Sequence, residues 1–265
     1  MKTKELIRKK DGVALYRTGE GVLKVFKCAG HRREIRFYDI LAQCGVPTLQ
    51  VLKRTKKSLL LEDLEISPTW RLAQPEDMDS PEVARAIAGW YLKLHAAGRN
   101  FHALHELPGE AEVLTEKNLH VLSKLYPNDA FWPYLFANLE EFWALLQALP
   151  QTLAYSDFYW TNLAVAHDGA SALMFDYNMA GRGHAYSDVR NVTSSLSERA
   201  AQAFREAYGA VNPEEQAADK VAAVLCALWT ASRRKTFPKW AENSLNALQD
   251  GSLLRDLKRL LGESP

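Results

Sequence analysis

Two apolar runs, Leu163-Ala164-Val165-Ala166 and Ala172-Leu173-Met174-Phe175, stand on either side of His167-Asp168-Gly169-Ala170. The polar tetrapeptide has turn chemistry, so the stretch reads as a β-hairpin, set in a region whose other apolar residues recur at helical spacing. Asn162 precedes the first run and Asp176 follows the second. In an antiparallel pair those two ends are neighbours, which brings an amide and a carboxylate within a few ångströms of each other. Both are hard oxygen donors, the kind magnesium prefers when phosphate supplies its other ligands. Asp157, five residues before Asn162, lies on a segment that reads as a loop. It adds a third polar group suited to orienting or deprotonating a substrate hydroxyl.

The rest of the chain divides by periodicity. Val13-Ala14-Leu15-Tyr16 and Val22-Leu23-Lys24-Val25-Phe26 flank Gly19-Glu20-Gly21 and predict a second hairpin, with Lys24 and Phe26 on one face and Leu23 and Val25 on the other. Arg32 to Gln43 has helical spacing and stops before Gly45 and Pro47; Ser58 to Leu61 is a further strand, followed by Glu62 and Asp63. Ser80-Pro81 is a helix start, an N-cap with proline at the first helical position. Val83, Ile87, Trp90-Tyr91 and Leu94 then form one apolar stripe that Gly98 closes. A second helix is predicted from about 133 to 149, and three or four more between 196 and 263. The layout is α+β: a small β-rich lobe over residues 1–64, a linker near 62–79, and a larger helical lobe over 65–265 carrying the hairpin.

Bulk properties narrow the function classes. The formal net charge is +1 over 265 residues, so no global field draws the chain to nucleic acid or to an anionic membrane. The basic clusters Lys9-Lys10, Lys53-Arg54, Lys56-Lys57 and Arg233-Arg234-Lys235 are short and read as solvated faces. Cys28, Cys44 and Cys226 form no CxxC pair, which points away from a zinc knuckle or a disulfide framework and toward a reducing cytoplasm. The N-terminus is basic (Lys2, Lys4, Arg8 to Lys10) with no apolar run behind it, and so does not read as a signal peptide. The longest apolar run, Val221 to Ala231, is too short for a bilayer and reads as a buried helix. His102 and His105 lack a third partner for a metal site, and Phe158, Tyr159 and Trp160 are expected to pack against the helical lobe.

The order of these elements resembles the aminoglycoside phosphotransferase/choline kinase family. Tyr155-Ser156-Asp157 followed by Asn162 is similar to the family's catalytic loop, usually His-Gly-Asp with Asn five residues after the Asp, itself akin to the kinase H-R-D-x-x-x-x-N. Phe175-Asp176-Tyr177 resembles the family's metal-binding element. Ala180-Gly181-Arg182-Gly183 with Asp188 resembles its A-G-R-G…D segment, and Leu92 to His95 its L-x-x-L-H helix end. Lys24 resembles the strand lysine that contacts the α- and β-phosphates, Glu34 its ion-pair partner on the next helix, and Leu59 to Leu64 the hinge that faces adenine. Two departures stand out. Tyr155 and Ser156 replace the usual His-Gly, and Lys9-Lys10-Asp11-Gly12 is the sole candidate for a phosphate loop.

What the resemblance implies is a protein-kinase-like, two-lobed phosphotransferase. It would use ATP and magnesium to phosphorylate a hydroxyl of a small aminoglycoside-, choline- or sugar-like acceptor. Asp157 would be catalytic, Lys24, Glu34, Glu62 and Leu64 would bind nucleotide, and Asn162 and Asp176 would bind metal. Asp188 would brace the loops. Neither a nucleic acid, a membrane nor an obligate protein partner is implied. The alternative reading is a catalytically inactive kinase-fold nucleotide-binding protein.

Overall fold

The computed structural model describes residues 4–10, 12–28 and 30–263. In chain order its strands and α-helices are β1 (Glu5–Lys10), β2 (Val13–Thr18), β3 (Gly21–Phe26), α1 (Arg33–Gln43), β4 (Val51–Thr55), β5 (Ser58–Leu61), β6 (Trp70–Leu72), α2 (Pro81–Arg99), α3 (Glu116–Leu125), α4 (Phe131–Ala137), α5 (Leu139–Ala148), β7 (Thr152–Ala154), β8 (Leu163–Ala166), β9 (Ala172–Met174), β10 (Gly181–Gly183), α6 (Ala185–Thr193), α7 (Glu198–Tyr208), α8 (Pro213–Ser232), α9 (Glu242–Gln249) and α10 (Ser252–Leu260). They pack as two compact units. The first takes its residues from the chain up to Leu104, from Thr152–Gly181 and from Asp188–Ala210; the second from His105–Gln151, Arg182–Ser187 and the chain after Val211.

In the first unit an antiparallel sheet runs in the order β1-β2-β3-β5-β4. The predicted β2–β3 hairpin is present, with Lys24 opposite Leu15 on one side and Leu59 on the other. Ala14, Phe26 and Leu59 on the sheet and Phe37 and Leu41 on α1 are buried. β1 was not anticipated: all six of its residues are exposed and most are charged, so the strand carries no alternation to detect. Its last residues are Lys9 and Lys10, and Gly12, at φ +79°, enters β2. Asp11 and Lys2 lie outside the described residues.

α2 begins as its sequence requires, with the Ser80 hydroxyl accepting from the Val83 N–H and Pro81 in the first turn. Its stripe of Val83, Ile87, Trp90, Tyr91 and Leu94 is buried, and the helix packs against α7 and β7. Gly98 marks the closest approach. A Cβ there would stand 2.0 Å from the Leu153 backbone nitrogen and 2.2 Å from Thr152 Oγ1. The predicted second hairpin is β8–β9, in the register Leu163↔Met174, Ala164↔Leu173, Val165↔Ala172. β6 adds a third strand beside β8. One more bond, from the Phe175 N–H to the Asn162 carbonyl at 3.0 Å, carries the ladder to the residues at its open end.

The second unit is helical. Leu119, Leu122, Phe131, Leu135, Phe142, Leu225, Leu228 and Leu257 fill its core, with Phe136 and Trp143 against its edge. The single helix expected from 133 to 149 is two, α4 and α5. The chain turns at Asn138 (φ −121°), whose side-chain amide donates to the Tyr134 carbonyl at 2.8 Å, the local competition with backbone bonds that asparagine offers. Arg182 ties the loops of this unit together, donating to the Leu107 carbonyl (3.0 Å), to Gln151 (2.6 Å) and to Glu112. Val221 to Ala231 lies inside α8. Among the described residues no helix is long and apolar enough to cross a membrane.

Candidate active site

Lys24, Glu34, Glu62, Asp157, Asp176 and Asp188, together with Asn162, fall in the first unit. Lys24 is central in the sheet because β2 and β5 pair with its strand on either side, and its side chain shares a face with buried Phe26. Glu34 sits in the first turn of α1, 1% exposed, against 6% for Lys24. The lysine Nζ stands 2.7 Å from Glu34 Oε2 and 2.7 Å from Asp176 Oδ1. Two carboxylates therefore share one ammonium, largely out of water. Burial alone would lower the lysine pKa, but attraction to Glu34 and Asp176 outweighs it and the pKa is raised, so Lys24 stays charged. Glu34 is pushed up to about 7, chiefly by burial and further by Asp176, against the pull of Lys24.

Asp157 and Asn162 meet in the same cluster. The Asn162 amide nitrogen donates to the Asp157 carboxylate and to the Asp157 carbonyl, both at 3.2 Å. Burial, then the charge of Asp176, raises the Asp157 pKa to about 6, opposed by the Asn162 hydrogen bond and by Lys24. With its nitrogen turned to Asp157, the Asn162 amide presents its oxygen as a donor atom.

The loop carrying Asp157 is held by buried Asp188, which accepts from the Tyr155 N–H and the Ser156 N–H, each at 2.8 Å. His95 reaches the same carboxylate at 3.2 Å through Nε2, and its Nδ1 contacts the Tyr208 hydroxyl at 2.7 Å. Tyr155 donates its hydroxyl to the Phe175 carbonyl, and Tyr177 donates to the Met174 carbonyl. Burial holds both phenols well above their ordinary pKa, so they remain donors. Ser156 and Asp176 have φ of +62° and +64°, a region that residues other than glycine adopt only when their surroundings impose it.

Glu62 and Leu64 are outside this charged cluster, directly after β5. The Glu62 carboxylate accepts from the Gln50 N–H (2.8 Å) and the Ser67 hydroxyl (3.0 Å), and Leu64 is buried. Of the aromatic run, Phe158 is buried as expected, whereas Tyr159 and Trp160 are exposed, contrary to the packing expected of all three. Tyr208 and Arg33 escaped the sequence reading. Tyr208 belongs to no motif and meets His95 across 113 residues. Arg33 gave itself away only by standing next to Glu34; its guanidinium donates to the Asn178 carbonyl, two residues beyond Asp176.

The arrangement can hold a polyanion on Lys24 and a hard cation on oxygen donors. The profile of the phosphotransferase enzyme family matches residues 15–224. This chain belongs to that family. No curated protein matches this phosphotransferase in sequence. Among solved structures, it is similar to a choline/ethanolamine kinase family protein from Mesorhizobium loti (TM-score 0.64, 16% identity, 98% of this chain and 92% of that one). It is similar also to a choline kinase from Streptococcus pneumoniae (TM-score 0.63, 12% identity, 94% and 92%) and to an AMP-bound spectinomycin phosphotransferase (TM-score 0.62, 11% identity, 94% and 89%). The α+β, protein-kinase-like fold is thus shared across nearly the whole phosphotransferase chain.

Proposed function

We propose that this protein transfers the γ-phosphoryl group of ATP, as its magnesium complex, to a hydroxyl of a small molecule. The observation that carries the reading is the Lys24 ammonium held at 2.7 Å by both Glu34 and Asp176, in a cluster that includes Asp157 and Asn162. Residues 1–64 would form the nucleotide-binding lobe, with Glu62 and Leu64 presenting backbone to adenine, and residues 65–265 the lobe of the catalytic loop and acceptor. Lys24, steadied by Glu34, would hold the α- and β-phosphates.

Asn162 and Asp176 suit magnesium, since each supplies a hard oxygen. Among the described residues no group of three or more His, Cys, Asp or Glu could hold a metal unaided, so phosphate and water would complete the shell, the usual pattern for this ion. The metal would neutralise charge developing on the transferred group. Asp157 would accept or orient the acceptor's hydroxyl proton, and Asn162 would keep that carboxylate aimed. Positioning and charge neutralisation carry the rate in such a reaction. Aminoglycoside-, choline- or sugar-like alcohols are the acceptor class, and three cysteines outside any disulfide agree with work in the cytoplasm. No nucleic acid, membrane or obligate protein partner enters the scheme.

The test is ADP release over a panel of hydroxylated small molecules, with Asp157→Asn as the blank. Wild-type protein should turn over at least one acceptor. The variant should bind nucleotide normally and lose activity by about 100- to 10,000-fold, the range general-base removal produces. Magnesium-dependent ATP binding without ADP release on any acceptor would instead make the chain a catalytically inactive nucleotide-binding protein.

A further inference from the structure

Asp176 is the one metal-ligand candidate in a left-handed conformation (φ +64°), and such a backbone does not hold itself. Three side chains grip the carbonyls around it. Tyr177 donates its hydroxyl to the Met174 carbonyl, Tyr155 to the Phe175 carbonyl, and Arg33 donates its guanidinium to the Asn178 carbonyl. The central grip fixes the peptide plane that joins Phe175 to Asp176, and so the direction in which the Asp176 carboxylate leaves the chain. That carboxylate then meets Lys24 at 2.7 Å.

Tyr155 is also the residue through which the two strained positions communicate. Its backbone N–H and that of the neighbouring Ser156 (φ +62°) go to the two oxygens of Asp188. Its ring is wholly buried, edge-on to Trp90 (5.9 Å) and Tyr177 (5.9 Å), so the hydroxyl has little freedom to turn elsewhere. The phenol spans from the loop of Asp157 to the segment of Asp176 and locks both at once.

We propose that Tyr155 is a positioning residue for the metal-binding carboxylate: its hydroxyl sets the Phe175–Asp176 peptide, and thereby the affinity of Asp176 for magnesium. The inference rests on the phosphotransfer reading, in which Asp176 is a metal ligand. A group that orients a ligand from behind is worth roughly 10- to 100-fold in metal affinity or activity.

The test replaces only the oxygen. Tyr155→Phe keeps the buried ring, and Mn²⁺ binding in the presence of ADP is followed by electron paramagnetic resonance. The dissociation constant for Mn²⁺ should rise about tenfold or more, and the magnesium concentration for half-maximal rate should rise with it, while KM for the acceptor stays fixed. 4-Aminophenylalanine at position 155, whose ring amine stands where the hydroxyl stood and can donate to the same carbonyl, should return both metal values to within about threefold of wild type. Should Tyr155→Phe not fold, 4-fluorophenylalanine at position 155, which fills the same space without a donor, takes its place. Weakened metal affinity there with wild-type-like affinity in the amine variant supports the grip, and equal affinity in the two overturns it. A folded Tyr155→Phe protein with a lower melting temperature but an unchanged Mn²⁺ constant also overturns it, leaving Tyr155 as core packing. Absence of Mn²⁺·ADP binding in the wild type itself would sink the functional reading rather than this inference.

Discussion

Glu34 and Asp157 titrate far above the ordinary carboxylate range, at about 7 and about 6, and the two values have different consequences. For Glu34 the native pKa lies above its ordinary 4.5, so the folded state binds the extra proton. Its contribution to stability is full below about 4.5 and is lost as pH rises toward 7, by up to about 3 kcal/mol. Urea unfolding of nucleotide-free protein from pH 5 to 8 should show this decline, and Glu34→Gln should flatten it. With Asp157 as the proposed base, the ionised form would be the active one. The value of kcat/KM should therefore fall about tenfold per unit below pH 6 and level off above it. A rate profile flat from pH 5 to 8 would remove Asp157 as the base. Glu34, ten residues after Lys24, was legible only through the family resemblance, whereas Asp157 stood out by its place on a loop five residues before Asn162. His95 was visible only as a helix-end motif letter. Its role depends on Asp188, 93 residues away, and Tyr208, 113 away, and no local pattern records such a meeting.

Among the elements, α2 shows how a residue that weakens a helix can be required by it. Glycine in a helix interior ordinarily costs about 1 kcal/mol relative to alanine, so Gly98→Ala should stabilise an isolated α2. In the protein the added methyl would enter β7 at 2.0 Å from the Leu153 nitrogen, where neither backbone can yield. Thermal unfolding should show a loss of roughly 2 kcal/mol or more, in the range of overpacked cores. Activity should fall with it, since β7 leads directly into Tyr155. Ser80→Ala at the other end removes the cap and the hydroxyl's bond to Glu82, and should cost about 1 kcal/mol. Elements with a turn, a cap or an alternating face were legible: β2–β3, α1, α2 and β8–β9. β1 was not, because all its side chains are exposed and so leave no alternating face to read, although its backbone pairs with β2. The break at Asn138 was hidden because the apolar spacing runs unbroken across it.

For the whole molecule, the charged cluster around Lys24 belongs to one unit. A nucleotide analogue with magnesium should slow amide exchange in that unit, at β3, at residues 155–162 and at 174–178. Protection confined to the second unit would move the nucleotide away from Lys24. The α+β class was readable from the change of periodicity near residue 64. What could not be read was the weaving of the chain, which leaves the first unit after Leu104 and returns to it twice. Spacing within a segment says nothing about which segment it will join. The bridge between Lys24 and Asp176 spans 152 residues, and that has a consequence for the protein's birth on the ribosome. At about 5–20 residues per second, Lys24 is polymerised roughly eight to thirty seconds before the acid that completes its charge cluster. During that interval, more than half of the chain's synthesis, the nascent sheet must survive with its charge constellation incomplete.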